Sequence, residues 1–127
     1  MSGPAASVDA WLRANGYAAT RDPGSSRVSI SFDSVRAHFH VLPGNNLLLE
    51  ARLCDLPSSM SERDRVVERA MTISAGRMRD NPASLACDEE LAALWLQRRL
   101  PGSITIEKLD EAVEHLVNEV EMWRLLL

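Results

Sequence analysis

Apolar positions near the N-terminus fall at Val8, Trp11 and Leu12, a spacing that lines one side of a short helix with Ser7 as its N-cap and Gly16 as its stop. From residue 28 the period drops to two. In "VSISFD", Val28, Ile30 and Phe32 alternate with Ser29 and Ser31; in "VRAHFHV", Val35, Ala37, Phe39 and Val41 alternate with Arg36, His38 and His40. Alternation of this kind marks half-buried strands, here turning near Asp33 and Ser34. "LPGNN" is a strong turn signal, and "LLLEARL" after it supplies a third strand with Leu47, Leu49, Ala51 and Leu53 facing inward.

A helical period returns after Pro57. Ser59 and Glu62 are spaced as a capping box, Val66, Val67, Ala70, Met71 and Ile73 supply the apolar positions, and Gly76 marks the decay of the helix. "ASLACDEELAALWLQRRLP" then reads as a second hairpin, rising through Leu85 and Cys87, turning at the acidic triplet Asp88 to Glu90 and returning through Leu94 and Leu96. From about Ile104 to the end, Leu109, Val113, Leu116, Val120, Trp123 and Leu127 recur at alternating steps of four and three, opposite Glu107, Glu111, Glu114, Asn118 and Glu121. The expected order is α-β-β-β-α-β-β-α, an α+β fold around antiparallel sheet, in a single domain spanning residues 1–127 with no linker.

In three places the pattern supplies more apolar surface than one core uses. Leu94, Trp95 and Leu96 are consecutive, Leu48 sits between Leu47 and Leu49, and the second helix has a wide apolar arc. Leu94 and Leu96 are expected beneath the protein's own helices and Trp95 against a partner, since surplus apolar faces in a small domain mark interaction surfaces.

Composition narrows the classes. A hydrophobic share of 46% and a charged share of 25% belong to a chain that folds. The net charge of −4 and pI of about 5.3 argue against nucleic acid, which needs a surplus of clustered cations. No stretch approaches the roughly 20 apolar residues needed to span a bilayer, and the start "MSGPAASVDAW" lacks the basic and apolar regions of a secretory signal, so a cytoplasmic protein without membrane insertion is expected. Cys54 and Cys87 make neither a disulfide framework nor a C-x-x-C pair and are expected as buried free thiols.

Catalysis finds no support. His38 and His40 share a strand face but bring no third metal ligand, and read as a solvent-facing pair; Asp88, Glu89 and Glu90 read as a soluble turn, and His115 as a surface residue. There is no G-x-S-x-G, no phosphate-cradling glycine loop and no H-E-x-x-H. No enzyme activity, cofactor or metal is expected.

With these segments assigned, the chain resembles the class I type III secretion chaperones of the Tir-chaperone family. "SISFDSVRAHFHVLPGNNLLLEARLCDLP" is similar to the family's first sheet, "ASLACDEELAALWLQRRLP" to its second hairpin with the closing Leu-Pro, and "LDEAVEHLVNEVEMWRLLL" to its last helix, including a Trp-Arg near the end. The resemblance implies a homodimeric chaperone of bacterial cytoplasm that binds the N-terminal region of a secreted effector, keeps it soluble and non-globular, and aids its delivery to the export apparatus. It points to an effector site along the first helix and first sheet, at Trp11, Leu12, Val28, Ile30, Phe32, Phe39 and Leu48. The dimer interface falls to Val66, Val67, Ala70, Met71, Ile73 and Trp95. The alternatives are one subunit of a heterodimeric chaperone for a secretion gatekeeper, and a protein-protein adaptor with no secretion role.

Overall fold

The fold was analysed in a computed structural model that describes residues 3–21, 24, 27–77, 82–88, 90 and 92–127. The elements are α1 (Pro4–Asn15), β1 (Thr20–Arg21), β2 (Val28–Phe32), β3 (Val35–Leu42), β4 (Asn46–Asp55), α2 (Met60–Arg77), β5 (Ser84–Cys87), β6 (Ala93–Pro101) and α3 (Ile106–Leu126). The strands form one antiparallel sheet in the order β1-β2-β3-β4-β6-β5. The α+β class and the order read from the sequence hold, with one strand added at the sheet edge. A two-residue strand is too short to show an alternation.

Residues paired across antiparallel strands point to the same side of a sheet, so the register assigns each side chain a face. Val28, Phe39 and Leu49 lie in one row; Ile30, Ala37, Ala51, Leu96 and Leu85 lie in another on the same face. That face is covered by α1 and α3, whose Val8, Trp11, Leu109, Leu116, Val120 and Trp123 complete the core. Leu94 and Leu96 are buried here, as their alternation requires. Val41 belongs to the same face but is exposed.

Helix boundaries follow local chemistry. α1 begins behind Gly3, with Pro4 in the first turn where its missing N–H costs nothing, three residues before the expected cap. Ser7 instead donates its hydroxyl to the Gly102 carbonyl at 2.8 Å. That corner requires a glycine: a Cβ on Gly102 would stand 2.0 Å from the Asn45 carbonyl oxygen. α1 ends at Gly16 in the left-handed conformation, as expected. In α2 the Ser59 carbonyl accepts from Arg63 N, while its hydroxyl lies beside that of Ser61 rather than making the expected capping box, and Gly76 falls in the last turn of the helix, which runs to Arg77. α3 starts at Ile106, with the Thr105 hydroxyl accepting from Lys108 N.

β4 carries a bulge between Arg52 and Cys54 opposite β6. The Arg124 guanidinium spans it from the end of α3, donating to the carbonyls of Leu53 (3.0 Å), Arg52 (2.9 Å) and Ser34 (2.8 Å). The Arg of the Trp-Arg pair thus ties the last helix to the β2–β3 turn. Cys54 and Cys87 both pair with Leu94, from opposite neighbouring strands, so they stand two strand spacings apart, about 10 Å. This is beyond disulfide reach. Cys54 is half-buried and Cys87 exposed, which corrects the expectation of two buried thiols: Cys87 lies on β5, the edge strand, with a sheet neighbour on one side.

Candidate functional site

The α1 side of the sheet carries a groove of about 100 Å³ lined by Ala5, Val8, Arg21, Val28, Phe39, Val41 and Leu47. It opens where α1 stops short of covering β3, which is why Val41 is exposed. The groove borders β1, a two-residue edge strand with one neighbour, so the backbone beside it has an unpaired side. Arg21 of β1 is ion-paired with Asp9 of α1, and the Trp11 indole N–H donates to Asp110 at 3.2 Å, which holds α1 over the sheet from both flanks. An aromatic chain runs from the interior outward: Phe39 against Trp11 (5.5 Å between ring centres), Trp11 against Tyr17 (5.2 Å) and Tyr17 against Phe32 (5.5 Å).

Seven residues were expected to meet a client. Trp11, Leu12, Val28, Ile30 and Phe39 are core, because α1 and the sheet bury them against each other. This corrects their placement on the surface, although Val28 and Phe39 also line the groove. Phe32 is half-buried at the outer end of the aromatic chain. Leu48 is half-buried on the opposite face of the sheet, paired with Arg99, and is not part of this site. Sequence reasoning missed Tyr17, Val41 and Arg21. Their signals were an aromatic directly after the stop glycine, and an apolar residue at the end of a strand longer than its covering helix.

The expected dimer residues divide between two faces. α2 runs beside α3 in the antiparallel sense, with Arg69 donating to the Leu126 carbonyl and Arg77 ion-paired to Glu119 at 2.6 Å. Ala70 is its fully buried residue; Val66, Val67 and Ile73 are half-buried and Met71 is 62% exposed. A cleft of about 520 Å³ lies between α2, β5 and α3, with Met71, Ala75, Leu85 and Trp123 in its walls. Trp95 lies on the other face of the sheet, paired with Arg52 and Ala86, its ring against that of His38 at 5.8 Å. One flat surface cannot contain both groups, and only a partner straddling the β5 edge meets them together.

Among the described residues no helix covers the second sheet face, yet Ser29 (2%) and His38 (3%) are buried there. A polar row runs across the strands through Ser29, His38, Glu50, Gln97 and Ser84. The Ser29 hydroxyl lies 2.6 Å from His38 Nδ1, to which Arg27 Nε also donates at 3.2 Å. Burial, reinforced by the Arg27 charge, lowers the His38 pKa from 6.5 to about 4, so the ring is neutral. His38 is thus no solvent-facing residue: its own neighbours and Trp95 cover it. Burial alone would raise the Glu50 carboxyl, but hydrogen bonds from His40 (2.8 Å) and Gln97 (2.8 Å) outweigh it and hold the group below its usual range.

A serine beside a histidine invites comparison with a nucleophile and its base, but the requirements are unmet. Ser29 is buried away from each of the clefts described, and Arg27 faces both ring nitrogens of His38. Among the described residues no group of three or more His, Cys, Asp or Glu is placed to hold a metal ion. Glu89 of the acidic triplet lies outside the described residues. Burial raises the Cys54 thiol, with Asp55 adding to the effect, so it is no activated nucleophile.

The model of the Tir chaperone protein (CesT) family matches residues 13–124, from the last turn of α1 through most of α3. The chain belongs to that family. No curated protein sequence matches it. Among solved structures, this CesT-family chain is similar to a chain of the ExsC–ExsE complex (18% identity, 93% of this chain and 88% of that one, TM-score 0.70). It is also similar to a chain of the HopA1–SchA chaperone–effector complex (14% identity, 93% and 90%, TM-score 0.68). A third is YbjN from E. coli, described as a putative transcription regulator (19% identity, 97% and 89%, TM-score 0.68). At such identities these likenesses show the shared fold. Among the described residues of this CesT-family chain, no helix is long and apolar enough to cross a membrane.

Proposed function

We propose that the chain is a type III secretion chaperone that works as a homodimer, binds the N-terminal region of a secreted effector in extended form, keeps it non-globular and aids its transfer to the export apparatus, with no turnover of its own. The observation that carries this reading is the short edge strand β1 beside an apolar groove, in a fold whose similar structures include a chaperone–effector complex. An extended segment gains main-chain hydrogen bonds along an open strand edge and sets alternate side chains into pockets beside it. Val41 supplies exposed apolar surface at the groove mouth and Val28 and Phe39 the groove floor, while Tyr17 and Phe32 pack together outside its lining, toward the far end of β2. The proposed dimer wraps the β5 edge, so that each copy covers Met71 and the half-buried side of α2 as well as Trp95.

The test is co-expression with the N-terminal segment of the secreted protein encoded beside the chaperone gene. A soluble complex in which the client segment stays open to protease supports the reading, and a client that folds or precipitates alone rejects it. The likeness to YbjN favours a second reading, a regulatory adaptor built on the same fold without a secretion client. A gene neighbourhood without secretion components, together with failure to hold any such client, would favour it.

A further inference from the structure

The open face of the sheet is electrically opposite to the outer side of α3. The chain carries −4 overall, and the outer side of α3 exposes Glu107, Asp110, Glu111, Glu114 and Glu121. On the open face, β3, β4 and β6 present exposed Arg36, Arg52 and Arg99, whereas Glu50 is already committed to His40 and Gln97. Arg52 is paired with Asp55, and the described residues offer Arg36 and Arg99 no acidic partner. Half-buried Leu48 lies in the row of His40 and Arg99, giving the cationic face an apolar point.

We infer that this face is a docking surface for an acidic segment of a partner protein. It is distinct from the groove beside β1 and does not depend on the client reading. Charge selects the occupant. The proposed second copy reaches this face only at Trp95, on the β5 side; two copies meeting over Arg36, Arg52 and Arg99 would bring their arginines together, and like charges across an interface are repulsive. Nucleic acid is disfavoured because so long a polyanion extends past this face onto the acidic remainder of a chain that carries −4, whereas a short segment stays on the arginines. The geometry sets the segment's pattern: Arg36 and His40, the latter in the row of Leu48 and Arg99, lie four residues apart on β3, about 13 Å along the strand, so a chain with carboxylates at least that far apart and an apolar residue near one of them matches Arg99, Leu48 and Arg36 together.

The test is fluorescence anisotropy with a labelled extended peptide of alternating Glu and Leu blocks, its Gln-for-Glu counterpart and a labelled DNA duplex. The acidic peptide is expected to bind, to weaken as salt rises, and to weaken by about tenfold or more with Arg36→Glu/Arg99→Glu, whose exposed positions spare the fold as read by circular dichroism. Equal binding of the Gln peptide, no binding of the acidic one, or tighter Arg-dependent binding of DNA overturns the inference. So does salt-reversible self-association lost in the same variant, which would make a second copy the occupant.

Discussion

Gly102 shows how much can rest on a missing methyl group. Its backbone lies against the Asn45 carbonyl, and its own carbonyl receives the Ser7 hydroxyl, so α1 is seated on a contact that admits no Cβ. Gly102→Ala should cost about 2 kcal/mol or more, at the severe end of overpacking, read as a lowered urea midpoint with unchanged slope. His38 makes a pH prediction. Its folded pKa of about 4 lies below its unfolded value of 6.5, so the unfolded chain binds more protons between these values and stability falls as pH drops through that window. Glu50, also depressed, adds to the loss in the same direction at lower pH. The decline is expected to be on the order of 1–3 kcal/mol and smaller in His38→Gln, measured by urea unfolding across the range. A rise in stability on acidification would contradict the buried neutral imidazole. Alternation assigned His38 to the correct face, but periodicity names a face without saying what covers it; the cover here comes from Trp95 and Arg27, distant in sequence.

At the scale of elements, the strands that alternate strictly were readable, because one dry face imposes a period of two on any sequence that fills it. α3 was readable for the corresponding helical reason. β1 was not, since two residues carry no period, and α1 began before its expected cap because Pro4 and the Gly102 corner, not Ser7, set its start. The effector candidates fared worst: the same apolar spacing that marks a binding stripe marks a core stripe, and Trp11 and Ile30 belong to the second. The most exacting joint between elements is Arg124, whose fork serves the carbonyls that the β4 bulge and the β2–β3 turn leave open. Arg124→Ala should lower stability by about 1–2 kcal/mol, and Arg124→Lys should not restore it, since a single ammonium cannot span these acceptors. Thermal melts of both variants check this, and full rescue by lysine would show that charge alone suffices.

For the whole molecule, what remains unpartnered outlines the proposed assembly. α2 buries Ala70 alone and leaves Met71 to solvent, while Trp95 faces the other way across the β5 edge. If a second copy wraps that edge, Met71→Glu should give a folded monomer of 14.1 kDa by light scattering, because the exposed side chain can change without disturbing the core. Trp95→Glu is a poorer probe, since Trp95 also covers His38. The proposed division of labour is α2 and β5 for a second copy, the groove beside β1 for an extended client and the cationic face for an acidic partner. In the proposed assembly the β1 edge and groove hold a client's N-terminal segment. The most direct measurement of this placement is co-purification of that segment with the wild-type chain and with Val41→Asp, an exposed change at the groove mouth. A stable complex is expected with wild type and its loss in the variant, with circular dichroism unchanged. Retention of the client by Val41→Asp, or no complex with a folded wild-type chain, would contradict the placement.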